Sequence, residues 1–138
     1  MSDWDDLLLI LESLEMPDYQ FFKVDQYDKV FVLTWTELAA TRILQDNEVQ
    51  VELQAFVLTA KPGCVVVSFT QLAQCPSSLI ASLIVLKRRL EEHANGLQLC
   101  GMSTQLREQF QRLHLGRVFE IHDSVSDAIE ACELAVTN

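Results

Sequence analysis

Cys64-Val65-Val66-Val67-Ser68-Phe69, followed closely by Ser77-Ser78-Leu79-Ile80-Ala81-Ser82-Leu83, decides how this chain folds. Three valines in a row, without the polar alternation of a half-exposed strand, predict a strand covered on both faces and hence the centre of a sheet. After a connection through Gln71 to Cys75, the apolar residues Leu79, Ile80, Leu83, Ile84, Leu86 and Leu90 recur at helical spacing from Ser77 to about Ala94, where Asn95-Gly96 ends the run. A short strand follows at Leu97 to Cys100. Ser103 then caps a helix carrying Leu106, Phe110 and Leu113, which His114-Leu115-Gly116 terminates. Val118 to Ile121 reads as the last strand, and Ser124 with Asp127 caps a final helix whose Val125, Ala128, Ile129 and Cys132 share one face. The order β-α-β-α-β-α implies right-handed crossovers and a mostly parallel sheet with helices packed against it.

Upstream, Tyr19 to Val24 and Val30 to Trp35 are rich in aromatic and β-branched residues around the polar Asp25-Gln26-Tyr27-Asp28, which predicts a hairpin adding antiparallel strands. A helix is expected from a cap at Asp46 or Asn47 through Val49, Glu52, Leu53, Phe56 and Val57 to Pro62-Gly63. Ser2 to Glu15 places Trp4, Leu7, Leu8 and Leu11 on one helical face, with Pro17 as its stop. With no internal repeat or linker, the division is an N-terminal helical extension over 1–16 and one domain over 17–138. The apolar stripe of the extension is expected to pack on its own domain, with dimerisation the second option.

Composition narrows the function. At 138 residues with 49% hydrophobic and 22% charged content, the chain can bury one domain-sized core. Twenty acidic against ten basic residues give a formal charge of −10, which repels nucleic-acid phosphates and anionic lipid surfaces. The local cluster Lys87, Arg88, Arg89 is diluted by Glu91 and Glu92 and reads as a solvated helix face. The start Met1-Ser2-Asp3-Trp4-Asp5-Asp6 is unlike a signal peptide, and no apolar run approaches the ~20 residues of a membrane span. A cytoplasmic protein with no membrane segment is expected. Cys64, Cys75, Cys100 and Cys132 show neither Cys-x-x-Cys nor zinc spacing and read as mostly buried thiols, with no disulfide framework.

The junction Cys75-Pro76-Ser77-Ser78 lies where the central strand gives way to a long helix, a place where α/β sheets commonly carry function. The free N–H groups and positive dipole end of that helix favour an anion, including a phosphate carried by serine itself. The plainer reading has Pro76 in the first turn and the serines as a cap.

Val65 to Phe69, then Cys75 to Leu83, then Leu97-Gln98-Leu99-Cys100-Gly101-Met102-Ser103, then Val118-Phe119-Glu120-Ile121, together resemble the STAS domain of bacterial anti-sigma factor antagonists and sulfate transporters. The resemblance covers about residues 19 to 136. It implies a SpoIIAA-like fold, with a mixed, mostly parallel sheet of four to five strands. It also implies a regulatory module in transcription signalling that binds a protein partner, an anti-sigma factor that is a histidine-kinase-like ATPase, as monomer or homodimer and without a cofactor. Antagonists of this family carry Asp-Ser-Ser-Gly at the junction, and the first serine is phosphorylated by the partner kinase. Carried over by position, Ser77 is the candidate phosphorylation site, and Cys75, Pro76, Ser78 and Leu79 are candidate partner contacts. Pro76 stands in place of the family's Asp and Leu79 in place of its Gly.

Two other readings remain. The domain can act as a STAS-type assembly module without phosphorylation. Alternatively, Cys75-Pro76-Ser77-Ser78 can be taken as a Cys-x-x-Ser redox motif with its thiol activated at a helix N-terminus. Against the second, Pro17, Pro62 and Pro76 are the only prolines, and none lies downstream where a thioredoxin-like fold requires a cis proline. A serine hydrolase is disfavoured by the missing Gly-x-Ser-x-Gly turn, with His93, His114 and His122 read as helix or loop surface. The sequence therefore points to a binding module rather than an enzyme.

Overall fold

A computed structural model of the chain describes residues 19–36, 48–60, 62–72, 75, 77–92 and 96–137. The N-terminal extension and the capping positions Asp46 and Asn47 lie outside the described residues. In chain order the elements are β1 (Phe22–Tyr27), β2 (Val30–Trp35), α1 (Glu48–Ala60), β3 (Cys64–Ser68), α2 (Ser77–Glu91), β4 (Gly96–Cys100), α3 (Thr104–Arg112), a 3₁₀ turn (Leu115–Arg117), β5 (Glu120–His122) and α4 (Val125–Thr137).

The strands form one sheet in the order β1-β2-β3-β4-β5. β1 and β2 pair antiparallel, and every later pair is parallel. This is the mixed, mostly parallel sheet expected from the sequence. β3 sits in the middle, and all five of its residues are buried. Period-two alternation sends Val65 and Val67 to one face with Leu33, Trp35, Leu97 and Leu99, where α1, α2 and α3 cover them. Val66 and Cys64 turn to the other face with Val30, Val32 and Cys100, beneath Ala128 and Cys132 of α4. Burying each such valine is worth about 1.5–3 kcal/mol, so β3 carries a disproportionate share of the core.

Several element boundaries differ from expectation, and β1 begins at Phe22 rather than Tyr19. The hairpin turn is the tight pair Asp28-Lys29, with Asp28 at φ 60°, and Asp25 to Tyr27 belong to β1. Asp tolerates the left-handed region, which lets two residues reverse the chain. β5 begins at Glu120 rather than Val118, because the Val118 and Phe119 N–H groups still donate back to the Leu115 carbonyl. α3 ends at Arg112, and His114, at φ 57°, takes the left-handed position ahead of Gly116.

The cysteines need a correction. Cys64 and Cys132 form a disulfide across 68 positions, with their Cα atoms 6.0 Å apart, while Cys75 and Cys100 are the buried free thiols. Cys64 opens the central strand on the face that α4 covers, and Cys132 lies one turn beyond Ala128 on the buried stripe of that helix, so packing brings the pair together. Among the described residues no helix is long and apolar enough to cross a membrane.

Candidate partner-binding site

The site lies at the carboxyl end of β3, where the chain crosses to α2. Two features hold this crossing. The Phe69 N–H donates to the Cys100 carbonyl at 2.9 Å, tying the start of the loop after β3 to the last residue of β4. Gly101 follows at φ 73°, where a Cβ would stand 2.9 Å from Thr70 Cγ2 and 3.2 Å from Ser68 Oγ. Only glycine permits both this backbone conformation and this approach.

Gln109 of α3 makes the second tie. Its Oε1 accepts from the Cys75 backbone N–H at 3.3 Å, and its Nε2 donates to the Cys75 carbonyl at 2.7 Å. One side-chain amide thus satisfies both backbone groups of the residue that leads into α2. We expect Gln109→Ala to cost about 1–2 kcal/mol, because it leaves a part-buried donor and acceptor without partners. Glutamate at 109 would recover the acceptor but not the donor, so Gln109→Glu should regain at most half of that loss. Urea midpoints of the two variants against wild type measure this.

Ser77 is the first residue of α2 and is exposed. Its hydroxyl makes no hydrogen bond among the described residues, so it is not engaged as a cap there. The first turn of α2 contains no acidic residue, which leaves the positive end of the helix without a compensating side-chain charge. Ser78 continues the helix, and Pro76 lies outside the described residues. The family resemblance made Cys75 and Leu79 contact residues, and the structure turns both inward, at 1% and 0% exposed. Leu79 belongs to the main core with Leu83 and Val67, where it anchors the helix to the sheet. The side chain that replaces the family's glycine therefore adds no bulk to the surface.

Burial pushes the Cys75 thiol up to about 12, overriding the lowering expected at a helix N-terminus. The thiolate on which a Cys-x-x-Ser chemistry depends is thereby withdrawn. At pH 8 we expect iodoacetamide to alkylate Cys75 on the order of a thousandfold more slowly than a free thiol, from thiolate fraction alone. Peptide mapping of the timed reaction checks this.

The other charged and histidine residues singled out in the sequence fall away from the site. Lys87 pairs with Glu91 along the solvent face of α2, as expected of a diluted charge cluster. His114 is exposed in its turn, and His93 lies outside the described residues. His122 is on strand β5 rather than in a loop, half-buried, with its Nε2 2.6 Å from the Oε1 of buried Gln98. Gly101 was visible in the sequence as a breaker between a strand and a helix cap. Gln109 carried no such signal, since one glutamine among several on a polar helix face looks like its neighbours.

No curated protein matches the chain. Solved structures do. An anti-sigma factor antagonist from Mycobacterium paratuberculosis superposes with a TM-score of 0.69 at 17% identity, covering 81% of this chain and 92% of that one. An anti-sigma-factor antagonist (STAS) domain protein from Planctomyces limnophilus gives 0.68 at 22% identity, covering 81% and 97%. SpoIIAA, a Bacillus cell fate determinant, gives 0.56 at 18% identity in its phosphorylated form, covering 80% and 97%. The STAS domain family model matches residues 30–128, from the first residue of β2 into α4. Sheet order, helix placement and this match agree, and the chain belongs to the STAS domain family.

Proposed function

We propose that this protein is a regulatory binding module of the anti-sigma factor antagonist type, acting in the cytoplasm through the surface around the N-terminus of α2 and switched by phosphate on Ser77. The observation that carries the reading is the state of Ser77. Its hydroxyl is exposed, bonded to nothing among the described residues, and set at the positive end of a 15-residue helix. The crossing that leads to it is held by Gln109 and by the contact at Gly101. A phosphate there adds roughly −1.5 to −2 charges to a surface without disturbing the core beneath it. The likeness to SpoIIAA, which has been solved in a phosphorylated form, supports the same reading. The partner it implies is an anti-sigma factor with a histidine-kinase-like ATPase fold, and the chain itself needs no catalytic group.

The test is affinity capture from native lysate with wild type and Ser77→Asp as parallel baits. An ATPase of the histidine-kinase-like class should be retained by wild type and depleted on the Ser77→Asp bait. Incubation of the captured partner with ATP should then add one phosphate to wild type and none to Ser77→Ala, read by intact mass. Equal retention on both baits, with no phosphate transferred, would sink the switch.

A further inference from the structure

Helix α1 is unusual on its solvent side. Its inner face supplies Val49, Leu53 and Phe56 to the core. The side turned away carries Val51, Ala55 and Leu58, with Val51 62% and Leu58 73% exposed. Glu48 and Glu52 are the only charged residues in this helix, in a chain with a net charge of −10. Glu52 is already committed, since its carboxylate accepts the backbone N–H groups of Gln20 at 2.9 Å and Phe21 at 3.1 Å. A helix apolar on both faces is stable where a second surface covers it.

The same contacts show what lies next to that face. Gln20 and Phe21 are lashed to α1 by Glu52, and the Tyr19 ring meets Phe56 of α1 edge-on at 6.3 Å. Tyr19, the first described residue, therefore lies at the flank of α1. The segment that precedes it, residues 1–18, carries Trp4, Leu7, Leu8 and Leu11 at helical spacing, and Trp4 and Leu11 are as far apart in sequence as Val51 and Leu58. It also carries Asp3, Asp5, Asp6 and Glu12 off that stripe, with no basic residue in the segment, so burying the stripe leaves those carboxylates in water.

We infer that the outer face of α1, at Val51, Ala55 and Leu58, is the seat of the chain's own N-terminal segment, docked through Trp4, Leu7, Leu8 and Leu11. Only Met16-Pro17-Asp18 separate the apolar segment from Tyr19, which is fixed to α1. A tether this short holds the segment at an effective concentration on the order of millimolar, so a modest apolar contact suffices for docking within one chain. The inference uses no property of Ser77, and its test does not depend on the phosphorylation switch.

Amide hydrogen exchange on the full chain tests the assignment. Amides within residues 4–15 should be protected at least ~10-fold over their unstructured rates. Val51→Asp combined with Leu58→Asp should abolish that protection while leaving the amides of β3 as slow as in wild type, because both positions are exposed and outside the core. Trp4→Asp should release the segment in the same way. Absent protection in wild type, or protection that survives the double substitution, would overturn the inference. Sedimentation separates docking within a chain from exchange between copies. A monomer that keeps its protection on dilution supports docking in cis, whereas a dimer that loses protection as it dissociates would assign the face to a second copy.

Discussion

Ser77→Asp is expected to leave the melting temperature unchanged or slightly higher and to weaken binding to the ATPase-type partner by on the order of 30–100-fold, while Ser77→Ala binds as wild type does. The stability half follows from position. Ser77 is exposed, its hydroxyl has no bond to lose among the described residues, and the first turn of α2 holds no acid that a new carboxylate would repel. A negative charge at that helix end gains about 0.3–1 kcal/mol from the dipole. The binding half follows from desolvation. A carboxylate pressed into an interface shaped around a neutral hydroxyl sheds water without gaining a counter-charge, a cost of roughly 2–3 kcal/mol. Calorimetric titration of the three proteins against one partner preparation reads both signs. Equal affinities across all three would leave Ser77 a plain helix-start residue and the switch without support.

The fold was legible because its central elements are extreme. Val65 to Val67 admit almost no reading but a doubly covered strand, and all three are 0% exposed. Ser103 and Ser124 announced their helices, and both hydroxyls accept N–H bonds there, from Leu106 and Asp127. What failed to show through was whatever depends on which elements meet. The helical period already grouped Leu79 with Leu83, Leu86 and Leu90, as the core has it, and only the position-by-position carry-over from the family set it on the contact surface. The embrace of Cys75 by Gln109 joins residues 34 apart through the packing of α3 beside the crossing. The junction from Cys75 to Ser78 was legible from its place after the central strand, a topological signal, whereas Ser77 was singled out within it by the family resemblance.

Cleaving the Cys64–Cys132 disulfide is expected to cost about 4 kcal/mol, lowering the melting temperature by on the order of 10 °C, by reduction or in a Cys64→Ala, Cys132→Ala double variant. The size comes from the 68 positions the bond spans, since closing so long a loop removes much of the unfolded chain's freedom. That is a large part of the 5–15 kcal/mol typical of a whole domain. α4 should nevertheless stay docked, because Val125, Ala128 and Ile129 still pack on the sheet face formed by Val30, Val32 and Val66. Cys64 opens β3 whereas Ser77 follows its far end, so partner affinity below the new melting point should match wild type. The bond persists only where the compartment does not reduce it, which makes this stability increment conditional on the redox poise of the proposed cytoplasmic location. Alkylation after denaturation without reductant supplies the independent check, with label expected on Cys75 and Cys100 alone. Label on all four cysteines, or a melting temperature indifferent to reductant, would show that the covalent tie between β3 and α4 contributes nothing.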